Sequence, residues 1–122
     1  MVEVICDTNF LIHLATKRIK NIDNIDVEIG LISFVVPKVV QDELFNLKND
    51  SKKKSEILVT LKFIKNFKII PIYGKFADKE LINYIKNNGG IIATMDKKLK
   101  QEIKKNRGSI VSFSNDRIVL ES

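Results

Sequence analysis

Val2-Glu3-Val4-Ile5-Cys6-Asp7-Thr8-Asn9 begins with a nearly unbroken apolar run that ends on a carboxylate. A strand buried on both faces reads this way, because a parallel sheet covered by helices has no polar side. Asp7 stands where the strand stops. Thr8 and Asn9 are suited to cap a helix begun by Phe10-Leu11-Ile12-His13-Leu14. Ligands of open parallel sheets bind beyond the carboxyl ends of the strands, so Asp7 is a functional candidate. The plainer reading makes it an N-cap or a turn residue. The choice depends on whether other carboxylates arrive at the same edge.

A polar connection with short apolar teeth follows over 17–26, and a brief helix is expected around 27–31. Ser33-Phe34-Val35-Val36 reads as a second strand stopped by Pro37, and that proline opens a helix over 38–45. Val40, Leu44 and Leu47 form its core stripe, with Val39 alongside; Glu43, four residues from Val39, projects next to the apolar face. The polar loop 49–55 leads into an amphipathic helix over 55–66 whose Ile57, Leu58, Leu61 and Ile64 point one way. Phe67-Lys68-Ile69-Ile70 is a third strand, stopped by Pro71. The helix opened by Phe76-Ala77-Asp78 buries Leu81, Ile82 and Ile85, carries Asp78 in its first turn and ends at Gly89. Gly90-Ile91-Ile92-Ala93-Thr94 is a fourth strand with Met95-Asp96 at its carboxyl end. A helix over 97–106, basic on its outer face, leads through Arg107-Gly108 to a strand at 109–113, and 117–120 returns as an edge strand. Strands and helices alternate, with connections long enough for right-handed parallel crossovers. The expected fold is α/β: a three-layer α/β/α sandwich with a central, mainly parallel sheet, as a single domain over 1–122.

Composition narrows the chemistry. With 44% hydrophobic residues the chain can build a core without disulfides or a structural metal. Its one cysteine, Cys6, lies inside the first apolar run and reads as a buried, inert thiol, so a cysteine-based metal site is excluded. No secretory leader and no apolar run of about 20 residues is visible, so a soluble, cytoplasmic protein without membrane attachment is expected. The formal net charge is +6, and 18 of the 21 cations are lysines, a balance compatible with phosphate contacts to nucleic acid. The one histidine, His13, reads as structural. There is no Walker loop and no Gly-x-Gly-x-x-Gly fingerprint.

The acids carry more information. Asp7 and Asp96 end the first and fourth strands, and they emerge side by side if those strands are neighbours. Glu43 and Asp78 sit on helices that follow strands; topology alone does not bring Asp78 to the same edge. Clustered carboxylates repel and persist only with cations or shared protons. Oxygen-only ligation suits Mg²⁺ or Mn²⁺, and such ions activate water in phosphodiester cleavage.

Four stretches in order resemble the PIN domain, a family of metal-dependent ribonucleases. They are Val4-Ile5-Cys6-Asp7-Thr8-Asn9, Val35 through Leu44, Ala77-Asp78, and Gly90 through Leu99. The resemblance implies an acidic quartet at Asp7, Glu43, Asp78 and Asp96, acting as catalytic and metal-binding residues, and it brings Asp78 to the site. It implies polar support from Asn9 and Thr94. The implied activity is a Mg²⁺- or Mn²⁺-dependent endoribonuclease in ribosomal-RNA processing or RNA quality control. Lys98 stands where many toxin members carry a further acid, so the likeness leans to an archaeal-type or rRNA-processing PIN protein. A toxin nuclease and a catalytically weak RNA-binding scaffold are the alternatives. RNA is the expected partner, held by Lys52, Lys53, Lys54, Lys97, Lys98 and Lys100; a homodimer, an antitoxin and a ribosome-assembly partner stay open. A dehalogenase-like phosphatase is disfavoured because Asn9 occupies the place of its second aspartate, and a receiver domain because its acidic pair is missing.

Overall fold

The computed structural model describes residues 2–19, 26–27, 30–49 and 52–121. In chain order the elements are β1 (Val2–Cys6), α1 (Thr8–Thr16), β2 (Asp26–Val27), β3 (Gly30–Pro37), α2 (Lys38–Leu47), α3 (Lys54–Phe63), β4 (Lys68–Ile70), α4 (Ala77–Asn88), β5 (Ile91–Ala93), α5 (Lys97–Lys105), β6 (Ser109–Ser114) and β7 (Arg117–Glu121). The sheet runs β2-β3-β1-β5-β6-β7, and β4 also pairs with β3. The pairs β1–β3, β1–β5, β3–β4 and β5–β6 are parallel, and only the outlying β2–β3 and β6–β7 pairs are antiparallel. The mainly parallel α/β sheet expected from the sequence is the one observed.

β1 and β5 are neighbours, with Ile5 opposite Ile92 and Cys6 opposite Ala93. That register brings the residues after both strands to one edge. Val4, Ile5, Cys6, Val35, Val36, Ile92, Ala93, Ile110 and Val111 are buried along the central strands. Helix residues close over them: Phe10, Leu11 and Leu14 from α1, Val39, Val40 and Leu44 from α2, Leu81 and Ile85 from α4, and Leu99 and Ile103 from α5. Phe10 sits between Phe34 and Phe113, with ring centroids 5.7 and 4.5 Å away. Pro37 occupies the N-cap of α2 and Gly89 closes α4 at φ +68°, the two breakers acting where the sequence places them.

Three expectations change. Where a helix is expected around 27–31, the described residues are strand: Val27 lies in β2 and pairs with Gly30 of β3, while Leu31 pairs with Asp26, and residues 28 and 29 lie outside the described residues. A β-branched residue and a glycine in so short a run favour extended backbone over a helical turn. Helix α1 is capped by Asp7, whose Oδ1 accepts from the Thr8 N–H at 2.8 Å, and Thr8 is already helical. In α3 the buried side is Ile57 and Thr60, whereas Leu58, Val59 and Phe63 are exposed. Thr60 donates its hydroxyl to the Glu56 carbonyl at 2.8 Å, so it enters the core without leaving a polar atom unpaired. The polar connection read over 17–26 and the loop over 49–55 fall partly outside the described residues. Among the described residues, no helix is long and apolar enough to cross a membrane.

Candidate active site

The carboxyl edge of β1 and β5 is held together by backbone. The Asp7 N–H donates to the Ala93 carbonyl at 2.9 Å, and the Thr94 N–H donates to the Val111 carbonyl at 3.1 Å. On this frame Thr94 is the central polar group. It is fully buried. Its hydroxyl donates to Asp7 Oδ2 at 3.0 Å and accepts from the Asp96 N–H at 3.1 Å. One side chain therefore fixes the orientation of the first acid and the backbone of the second.

Asp96 also caps α5, its Oδ1 accepting from the N–H groups of Lys98 and Leu99 at 2.9 and 3.2 Å. Those bonds leave its Oδ2 uncommitted to the cap. Glu43 reaches the edge from α2, whose first turn is anchored by the Val39 N–H on the Ile72 carbonyl at 2.9 Å. Asp78 arrives from the first turn of α4 and accepts from the Lys79 N–H at 2.9 Å. Asp7, Glu43, Asp78 and Asp96 line one pocket of about 240 Å³, together with Thr8, Asn9 and Ala77. All four candidate acids thus share one space, and Asn9 stands exposed on its rim.

Asp7 is the electrostatic centre. It is 9% exposed. Burial pushes its carboxyl above the ordinary value; the bonds from Thr8 and Thr94 oppose the rise, and the charges of Glu43 and Asp96 add to it. A buried carboxylate that stays destabilised despite two donors calls for a cation or a proton. Thr8 adds a signal that the sequence reading treated only as a cap. Thr8 lines the same pocket, and among the described residues its Oγ1 is the buried side-chain polar atom without a hydrogen-bond partner. Buried hydroxyls are normally paired, so an orphan on a residue that lines the acidic pocket marks a place for a water or a ligand.

The donor set fits a hard divalent cation: oxygens only, several charged, with a spare hydroxyl beside them. The geometry is open. Among the described residues, no group of three or more His, Cys, Asp or Glu side chains is drawn together closely enough to hold a metal ion. Asp7 is fixed by Thr94 and Asp96 by its cap, while Glu43 and Asp78 extend from helices α2 and α4.

The cations divide into two groups. Lys53 and Lys54 are exposed at the start of α3, and Lys97 and Lys98 at the start of α5, directly after Asp96; Lys52 is likewise exposed. Lys100 stands apart. Its ammonium lies 2.7 Å from Glu121 Oε2, with Lys104 3.1 Å from Oε1 of the same residue. Ser112 donates its hydroxyl to Glu121 as well. The bonds from Lys100 and Ser112 hold the Glu121 carboxyl down at about 2, helped by Lys104. Tyr73 and Phe76, both exposed, flank Gly74 in the segment leading to Asp78. Gly74 has φ +151°, a backbone conformation that residues with a side chain rarely adopt, which favours glycine there.

The profile of the PIN like domain family matches residues 4–115. Ribonuclease VapC4 of Methanocaldococcus jannaschii is 34% identical over 116 residues, which cover 87% of this chain and 86% of that protein. Among solved structures, the PIN domain endonuclease Utp24 superposes with a TM-score of 0.79 at 25% identity, over 98% of this chain and 90% of that one.

Proposed function

The chain belongs to the PIN-like domain family, and from that premise we propose that it is a Mg²⁺- or Mn²⁺-dependent endoribonuclease acting on single-stranded or loop RNA. The observation that carries the reading is the convergence of Asp7, Glu43, Asp78 and Asp96 on one pocket. It is supported by the similarity to a ribonuclease and to an endonuclease.

In this reading the four carboxylates would hold the cation, and Thr8 would offer its unpaired hydroxyl to a water in the pocket. When bound, the ion lowers the pKa of its water and offsets charge on the phosphate. The chain's own residues supply position. Thr94 keeps Asp7 facing the pocket and sets the turn that presents Asp96. The Oδ2 of Asp96, not used by the cap, would be available to the cation. Burial around Asp7 limits competing solvent, so charge interactions there act at lower dielectric than at the surface.

Unpaired RNA is the favoured substrate because its backbone enters an edge pocket without unwinding and its bases stack on exposed rings. Tyr73 and Phe76 offer such exposed rings in the segment of chain leading to Asp78. Lys53, Lys54, Lys97 and Lys98 supply phosphate contacts, whereas Lys100 is occupied by Glu121. The test is incubation of structured and unstructured RNA with Mn²⁺ or with EDTA, followed by mapping of the cut ends. Cuts in unpaired segments that need Mn²⁺ and vanish in Asp96→Asn are expected. Cleavage that survives EDTA would overturn the metal mechanism.

A further inference from the structure

His13, the one histidine of the chain, takes no part in the acidic pocket. Its ring packs against that of Phe113, centroids 4.4 Å apart and planes at 40°, and Phe113 in turn stacks on the buried Phe10 at 4.5 Å and 14°. The imidazole is thus held on one side by a rigid aromatic stack. It also borders a second pocket, of about 190 Å³. Pockets for drug-sized ligands run roughly 300–1,000 Å³, so this one suits a single planar ring system.

Two residues tie this pocket to the carboxylates. Asn9, one helical turn before His13 on the same face of α1, lines both pockets. Met95, 40% exposed, forms part of the wall and stands in the chain between Thr94 and Asp96. Lys17 and Lys53 border the mouth, and Glu56 lies on the same rim. An apolar thioether, an amide and an imidazole at one opening match a base rather than a sugar. The glutamate disfavours a bare anion, while the two lysines suit a phosphate attached to that base. Burial and Lys17 lower the proton affinity of His13, so the neutral ring keeps one donor and one acceptor.

We propose that this pocket is a nucleobase subsite, seating one unpaired base next to the phosphate engaged at the acidic pocket. His13 and Asn9 contact the base, Met95 packs on it, and Lys17 and Lys53 hold its phosphate. The subsite rests on the nuclease reading for its role in cleavage, although its binding chemistry is separable from it.

The single histidine gives one imidazole C2–H resonance, which reports on this pocket directly. In EDTA, the wild type is titrated with AMP, CMP, GMP, UMP and, as the base-free probe, ribose 5-phosphate. At least one nucleotide should shift the His13 resonance saturably and bind about fivefold tighter than ribose 5-phosphate, the low end of what stacking one base supplies. Met95→Ala, outside the core, should bring that nucleotide and ribose 5-phosphate to the same affinity. No His13 response, an equal response to ribose 5-phosphate, or a preference that Met95→Ala leaves intact would each overturn the subsite. Cleavage of RNA in Mn²⁺ is scored separately. Active cleavage with a base-blind His13 rejects the subsite and keeps the nuclease, whereas a base-dependent His13 response without cleavage does the reverse.

Discussion

Asp7 and Glu121 are both partly or wholly withdrawn from water, and the protein treats them in opposite ways. Glu121, on β7 at the far edge of the sheet, receives two lysines and a serine, and its carboxyl is held down at about 2. Asp7, at the end of β1, receives one backbone N–H and one threonine, faces Glu43 and Asp96, and is pushed up. The first arrangement is complete as it stands. The second is left short of positive charge, in a pocket that opens to solvent. On the proposed function, the difference separates a carboxylate that braces the fold from one held ready for a ligand.

The largest effect that could break this contrast is on cleavage. Asp7→Asn should lower the rate at least about a hundredfold, the upper figure for losing even an outer partner of a metal ligand. Glu121→Gln should leave it unchanged. Comparable losses in both would mean that activity follows folding rather than the pocket. Thr94→Val comes next, because it keeps the shape and removes the hydroxyl joining Asp7 to Asp96. It should lower cleavage about tenfold and cost about 1–3 kcal/mol in stability, since a buried acceptor and a donor lose their partner. A silent Thr94→Val would show that the two acids are positioned without it.

Smaller effects sharpen the cation side. Neutralising Lys53, Lys97 and Lys98 together should reduce the salt slope of RNA affinity by about 2, if each meets one phosphate of a single strand. Neutralising Lys100 alone should leave the slope unchanged, because Glu121 already holds it. Last, Glu121→Gln should cost about 1 kcal/mol near neutral pH, a modest figure because its cations are partly exposed. Its folded pKa is depressed, so its contribution is present above the unfolded value of about 4.3 and lost as pH falls toward 2. Melts of the two proteins should therefore converge in acid.

Much of this contrast was legible in the sequence on one side only. Apolar runs closed by Pro37, Pro71 and Gly89 marked strands and helices, whereas the β1–β5 pairing was only a condition in the sequence and is supplied by the observed register. Asp7 and Asp96 announced themselves as acids at strand ends. Thr8 Oγ1 did not, since an orphaned hydroxyl is a property of packing rather than of spacing. Neither did Glu121, which lies 21 residues from Lys100 and 9 from Ser112 and meets Ser112 across the paired β6 and β7 and Lys100 from α5. Helix α3 misled because it carries more apolar residues than its buried side accepts, leaving Leu58 outside and taking Thr60 in. The short β2 offered too few residues for any periodicity.

The central claim is that Asp7 is a ligand carboxylate which also caps a helix, not a cap alone. Both roles predict a hydrogen bond to Thr8, so contact geometry does not separate them, but the sign of a charge effect does. With its folded pKa raised, Asp7 is least unfavourable below the unfolded value of about 3.9 and destabilises as pH rises through the folded one. That rise already includes the Thr8 and Thr94 bonds, and asparagine caps helices as well as aspartate does. The direct measurement is a pair of thermal melts near neutral pH, wild type and Asp7→Asn, each in EDTA and in Mn²⁺. Asp7→Asn should melt higher than wild type in EDTA. Mn²⁺ at a hundred times its dissociation constant should stabilise the wild type by about 2.7 kcal/mol and the variant much less. A variant that melts lower in EDTA and gains as much from Mn²⁺ as the wild type would make Asp7 a structural cap and contradict the account.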